Sequence, residues 1–363
     1  MRLDNDIKLD FDDVLIKPKR SKMKSRQDVN INREFTFLHS KKVFSGVPIM
    51  ASNMDTVGRF EMANILKNYK MITVLNKFYN LDDFKRNYTS IEDSKYVIPS
   101  IGTSENELNK FLEIYNELVV KPEYICIDVA NGYGEYMIEF IRKIRKILPE
   151  ITIIGGNVVS GEMTEELILS GCDIVKVGIG SGAACTTRIK TGVGCPQLSA
   201  VIECADAAHG LGGLIISDGG CKTPADIVKA FAGGADFVML GGMLAGHDES
   251  GGEIIIERIK TDRLNEYNKH IIEEKKYKIF YGMSSNTAQE KYYGGQKQYR
   301  ASEGRTVKIE YRGKVEDTIR EIEGGIRSAC TYTGASKLKD LSKCTTFLRV
   351  NNTHNRVYEK KEI

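Results

Sequence analysis

The feature that most limits what this chain can fold into is a repeated alternation. Short runs rich in β-branched and apolar residues are each followed by a stretch with helical periodicity. The runs are 47–52, 71–75, 96–101, 124–128, 151–155, 173–177, 214–217 and 236–240. Between them lie helical patterns at 60–70, 81–92, 105–119, 135–148, 163–170, 198–209 and 225–232. Strands alternating with helices form parallel βαβ units, because a parallel pair needs a long crossover. Eight such units fit a closed α/β (β/α)8 TIM barrel. An open doubly wound sheet ranks lower, since no strand runs into a G-x-G-x-x-G dinucleotide turn.

A barrel places its chemistry at the carboxyl ends of its strands. Those ends here carry Ser52-Asn53-Met54-Asp55, Asn76-Lys77, Asp128-Val129-Ala130-Asn131, Gly156-Asn157, Asp218-Gly219-Gly220 and Gly241-Gly242. Paired glycines after the last two strands suit an anion, because backbone N–H groups can converge on a phosphate. The sixth strand opens the densest stretch of all, Gly178-Ile-Gly-Ser-Gly-Ala-Ala-Cys185-Thr-Thr-Arg188. It sets a soft nucleophile, two hydroxyls and a guanidinium within four residues. Arg188 is expected to favour the thiolate of Cys185, Thr187 to pass a proton, and Glu303 to orient Thr187. Lys77 and Asp128 are read as sitting across the barrel mouth from Cys185, as a structural ion pair or a proton-transfer pair. Asp218 either caps a loop or grips a ribose diol.

The remaining segments frame this centre. Residues 1–45 read as an N-terminal extension with a basic cluster from Lys17 to Arg26 and a strand at 29–37. Beyond the barrel, 247–313 is a long excursion. It comprises a hairpin (253–258 with 276–280) joined by a charged linker, a helix at 286–293 and a lid-like loop at 294–313. A helix at 315–328 closes the domain, and the tail from Lys343 is polar. The whole chain is expected to be one catalytic domain.

Bulk properties exclude several classes. Lys and Arg number 52 against 49 Asp and Glu, which gives no general nucleic-acid or membrane surface. No apolar run approaches a membrane span, and the charged N-terminus has no export signal. A cytoplasmic location is therefore expected. The eight cysteines include no C-x-x-C pair, and Cys126, Cys172 and Cys204 read as small buried hydrophobes.

With these residues in view, the chain resembles the IMP dehydrogenase/GMP reductase family. The likeness runs through Leu9-Asp-Phe-Asp-Asp-Val-Leu, Asn53-Met-Asp-Thr-Val-Gly, Asp128-Val-Ala-Asn-Gly-Tyr, Cys185-Thr-Thr-Arg, Ile216-Ser-Asp-Gly-Gly, Met239-Leu-Gly-Gly-Met, Phe280-Tyr-Gly-Met-Ser-Ser and Tyr299-Arg-Ala-Ser-Glu-Gly. It implies the reductase branch, with NADPH-dependent reductive deamination of GMP to IMP and ammonia through a thioimidate on Cys185. Thr187 and Glu303 would form the relay, with Lys77 and Asp128 tied to the cofactor and the amine step. The resemblance places GMP on Asp218, Gly219, Gly220, Gly241, Gly242, Gly282, Met283, Ser284, Arg300, Ala301, Ser302, Glu303 and Gly304. It places NADPH on Lys77, Asp128, Val129, Ala130, Ile179, Gly180, Met283, Tyr299 and Arg300. Ser25, Arg26, Ser328, Ala329, Cys330 and Thr331 match cofactor contacts made from a neighbouring subunit of a homotetramer. A potassium ion falls on Gly180, Gly182, Cys185 and Arg188. Two other readings are an IMP dehydrogenase without regulatory CBS domains and a non-catalytic purine-nucleotide sensor. The chain departs from the family in carrying Ser181 and Ala183 where the cysteine loop usually has proline and serine.

Overall fold

Eight parallel strands close on themselves, and the closure runs through a proline. This computed structural model describes residues 3–264, 266–295 and 301–351. The barrel strands are β1 (Ile49–Ala51), β2 (Ile72–Val74), β3 (97–101), β4 (Tyr124–Asp128), β5 (Thr152–Val158), β6 (Ile174–Val177), β7 (Leu214–Asp218) and β8 (Phe237–Leu240). Pro99 splits β3: Val97–Ile98 pairs with β2, and Ser100–Ile101 pairs with β4. Proline has no N–H to give a ladder, but its carbonyl still accepts from Cys126 N–H at 2.9 Å. The two ends of the sheet are thus halves of one segment, and the barrel is closed.

Period-2 alternation sorts the strand side chains into two cores. Met50, Ile72, Ile98, Tyr124, Cys126, Ile154, Ile174, Ile216, Phe237 and Met239 fill the barrel interior. Ile49, Ile125, Ile153, Val175, Ile215 and Val238 face outward, into the layer shared with the surrounding helices. The N-terminal extension does more than precede the barrel. Its hairpin, Arg33–Thr36 with Val43–Gly46, sends Phe35 and Phe44 into the barrel core, and Phe37 follows just after it. Ring contacts of Phe35 and Phe44 with Phe237, and of Phe37 with Tyr124, place this plug at the amino ends of the strands. The opposite rim is left for chemistry. Cys126, Cys172 and Cys204 are buried, and burial pushes the Cys126 and Cys204 thiols up to about 12.

Four expectations change in detail. The helical stretch at 81–92 is two helices, Leu81–Asn87 and Ile91–Tyr96, because Ser90 and Asp93 form a reciprocal cap that starts the second. The charged linker after Arg258 continues the hairpin instead, giving strands β9 (Ile254–Leu264) and β10 (His270–Tyr281). The second half of the lid-like loop forms β11 (Thr306–Glu310), which adds to β10 as a third strand. The closing helix runs on to Thr333 and ends on Gly334 in the left-handed conformation. Among the described residues no helix is long and apolar enough to cross a membrane.

Phe237 is fully buried between the plug rings and the barrel wall. Phe237→Ala is expected to lower unfolding stability by about 3–5 kcal/mol, the usual range for a large aromatic removed from a core. Urea denaturation measures this, and a loss below about 1 kcal/mol would contradict the plug.

Candidate active site

At the carboxyl rim the strand ends surround a cavity of about 320 Å³. Its wall includes Asp128, Val129 and Ala130 from the end of β4, Cys185 and Thr187 from the loop after β6, and Asp218, Gly219 and Gly220 from the end of β7. Gly241 and Gly242 follow β8, Gly282, Met283 and Ser284 follow β10, and Glu303 and Gly304 come from the lid. The strand-end reading therefore assembles most of its residues in one place.

Cys185 is half-buried and held by two hydrogen bonds in series. Its thiol donates to Thr187 Oγ1 at 3.2 Å, and the Thr187 hydroxyl donates to Glu303 Oε2 at 2.8 Å. The chain gives a proton a path from sulfur to carboxylate. Backbone pairing fixes the lid segment against the cysteine loop: Thr186 N–H donates to Glu303 O at 2.8 Å, and Arg305 N–H to Ala184 O at 2.9 Å. Close approach explains the glycines there. A Cβ on Gly282 would lie 2.9 Å from Ala184 O, and one on Gly304 would lie 2.7 Å from Ser285 N.

The hydrogen bonds of Arg188 go to groups other than the thiol. Its guanidinium turns to Asp10 Oδ2 at 2.9 Å and to the Cys195 carbonyl. Asp10 also accepts from Gln197 N–H. The Leu9-Asp-Phe-Asp-Asp segment thus clamps the far side of the cysteine loop. Ser181, where the family has proline, donates through its hydroxyl to Asp218 O at 3.3 Å, tying the loop to the end of β7. The expected cation donors are backbone carbonyls. Those of Gly182 and Arg188 already accept from Cys185 N–H and Gly192 N–H, and each keeps a second lone pair. The loop's donor chemistry suits a monovalent cation held by carbonyls.

The expected Lys77–Asp128 pair is not formed. Lys77 bonds Glu107 Oε1 at 2.7 Å in a small side cleft. Asp128 instead meets Lys176, a buried lysine on β6, whose ammonium also lies 3.4 Å from Asp218 Oδ2. Burial alone would raise Asp128, but the Lys176 charge together with hydrogen bonds from Lys176 and Asn53 outweighs it and holds the carboxyl below its ordinary value. Asn157 Nδ2 completes the group, donating to Asp218 Oδ2 at 2.9 Å and Gly178 O at 2.8 Å. Lys176 was missed as a site residue, and Asn157 was read only as part of a strand end. A lysine at an inward position of an otherwise apolar strand, Asp-Ile-Val-Lys-Val, is the signal that marks it.

Other expected residues lie apart. Ala301 and Ser302 are described but are not part of the cavity wall, while Ile179 and Gly180 are. Tyr299 and Arg300 fall outside the described residues. Ser25 and Arg26 sit at the start of a short turn packed on the helix that carries Ser328, Ala329, Cys330 and Thr331. The Lys19 N–H to Tyr332 O bond, 2.9 Å, anchors the same junction. The Cys330 side chain itself is buried, which pushes its thiol up to about 11.

Comparison with known proteins shows the family to which the chain is similar. A family model described as IMP dehydrogenase / GMP reductase domain matches residues 8–360. Proteins named GMP reductase from Shigella boydii serotype 18, Escherichia coli O157:H7 and Escherichia coli K12 are each 56% identical over 360 residues, covering 99% of both chains.

The clamp on the cysteine loop is testable. Asp10→Ala removes the acceptor for both Arg188 and the Gln197 N–H, and is expected to cost about 1–2 kcal/mol in urea denaturation. Asp10→Asn keeps an acceptor and loses only a half-exposed ion pair, so about half that is expected. Equal losses would contradict the dual role.

Proposed function

The chain belongs to the IMP dehydrogenase/GMP reductase family, and from that premise we propose that it is a GMP reductase. The proposed reaction is GMP + NADPH + H⁺ → IMP + NADP⁺ + NH₃. The observation that carries this reading is the Cys185–Thr187–Glu303 chain opening into a cavity with paired glycines beyond two late strands.

Each residue has a task that follows from its place. Glu303, through Thr187, takes the thiol proton as Cys185 sulfur bonds to purine C2. The same proton leaves with the amine as ammonia when the C2–N bond breaks, giving a thioimidate on Cys185. NADPH, when bound, supplies the hydride that C2 receives. Breaking the C–S bond then releases IMP, and one proton from solution restores the thiol. Gly219, Gly220, Gly241 and Gly242 offer backbone N–H groups to the phosphate, and Asp218 accepts from ribose hydroxyls. Asp128, Val129, Ala130, Ile179, Gly180 and Met283 form the part of the wall we assign to NADPH. Lys77, Tyr299 and Arg300 belong to the same assignment, with Arg300, Ala301 and Ser302 also assigned to GMP. Ser25, Arg26 and Ser328 to Thr331 would serve a neighbouring subunit's cofactor in a homotetramer, the Cys330 contact coming through backbone. Potassium on the carbonyls of Gly180, Gly182, Cys185 and Arg188 would stiffen the cysteine loop. We read the chain as one catalytic domain in the cytoplasm.

The dehydrogenase alternative gains nothing from the fold. The β2–β3 connection is two short helices leading directly into Val97, where regulatory domains would have to be inserted.

NADPH absorbance after mixing with GMP tests the proposal. Oxidation with stoichiometric ammonia is expected, and NAD⁺ reduction with IMP but no reaction with GMP would overturn it. Cys185→Ala is expected to lower kcat at least about 10³-fold, and Glu303→Gln about 10²-fold. Replacing potassium by a bulky organic cation is expected to slow turnover, and unchanged turnover would remove the cation from the account.

A further inference from the structure

We infer that Lys176 is a positioning residue that fixes Asp128 and Asp218 relative to each other, its ammonium set between their carboxylates. The inference rests on the reading of Asp218 as the ribose acceptor and Asp128 as part of the cofactor wall. Three independent features of the fold converge on this one side chain.

The first is placement. Lys176 shares its face of β6 with Ile174, so it points into the barrel, and its side chain is 2% exposed. It bonds Asp128 Oδ1 from β4 and approaches Asp218 Oδ2 from β7 at 3.4 Å. One ammonium therefore bridges strands on both sides of its own. The second is space. A Cβ on Gly156 of β5 would lie 2.5 Å from Lys176 O and 2.7 Å from Lys176 Cβ, so the neighbouring strand is cut away where the lysine sits. The register between β5 and β6 shifts at the same point. A shift of this kind re-aims a side chain, and here Asn157 is turned to hold Asp218 Oδ2 at 2.9 Å. The third is charge. Two carboxylates brought to one cavity repel each other, and a cation set between them offsets that repulsion. Burial would push the Lys176 ammonium down, but Asp128 and Asp218 outweigh it and hold it above the ordinary lysine value.

Few other groups act on this cluster. Cys126 lies below on β4, Asn53 bonds Asp128 from the loop after β1, and the Lys77 charge reaches Asp128 from its own pair with Glu107. None replaces the bridge to Asp218. With Lys176 gone, two like charges face each other and taking up a proton relieves the repulsion, so the nucleotide end of the site responds to the state of the cofactor end. The signs follow. Asp128 is held low, so its contribution to stability is present above its unfolded pKa and lost as pH falls through the lowered value. The raised lysine contributes below its unfolded pKa and is lost as pH rises through the folded one. Between about pH 5 and 9 the wild-type bridge is therefore constant.

The test uses the full chain as wild type, Lys176→Met, Lys176→Arg, Asp128→Asn and the double variant K176M/D128N. Two readouts are taken: urea midpoint without ligand, and GMP affinity by calorimetry from pH 6 to 9. Asp128→Asn is expected to lower the urea midpoint of the wild type but to raise that of Lys176→Met. If Lys176→Met is insoluble, recovery of soluble protein by the added Asp128→Asn is the same result. GMP affinity of Lys176→Met, taken as a ratio to wild type, is expected to fall about tenfold near pH 6 and to recover as pH rises. Lys176→Arg is expected to stay within about threefold of wild type, since it keeps the cation. Asp128→Asn lowering both midpoints equally, or a pH-independent affinity ratio, would overturn the inference and leave only a packing role. Failure of wild type to bind GMP would instead overturn the functional reading, and the ligand-free midpoints would still decide the role of Lys176.

Discussion

Parallel pairing is the constraint on which the rest depends. In a barrel of parallel strands every carboxyl end meets the same rim, so residues distant in sequence become neighbours without any dedicated scaffold. Closure has its own requirement here. The third strand passes its hydrogen bonds from one neighbour to the other across Pro99, and the phenyl rings of an N-terminal hairpin fill the opposite end. With that end sealed, the open rim is the face left to bind a nucleotide.

The proposed reaction centre is built from two loops rather than one. Cys185 and Thr187 come from the segment after the sixth strand, and Glu303 arrives from 116 residues further on. Short backbone pairing between the two segments makes the relay a property of the lid's position. The cysteine loop is anchored from behind by Asp10, 178 residues before Arg188. The guanidinium that follows Cys185 in sequence thus holds the loop's shape, and in the proposed mechanism proton removal falls to Glu303.

What the sequence disclosed follows from the range of the interactions. The eight βα units were legible because period-2 and period-3.6 patterns are local. The cavity was legible at Asp128, Cys185, Asp218 and the glycine pairs because strand ends can be counted. Partnerships across the barrel were not. Lys77 looked like the partner of Asp128, yet it pairs with Glu107 on the helix Glu105–Glu117, and Lys176 takes its place through the inward face of a strand. The hairpin was read too short because β9 and β10 are largely solvent-exposed and charged beyond Arg258, which is also how a linker looks. The helix break at Tyr88 to Ser90 was missed because a reciprocal cap is a side-chain geometry, not a composition.

The central claim is that Cys185 sulfur bonds the purine. Rapid acid quenching during turnover with GMP and NADPH, followed by proteolysis and mass analysis, tests it directly. The peptide containing Cys185 is predicted to gain the mass of GMP less ammonia, only when GMP is present and not in Cys185→Ala. A purine adduct on another cysteine during turnover, with the Cys185 peptide unmodified, would contradict the account.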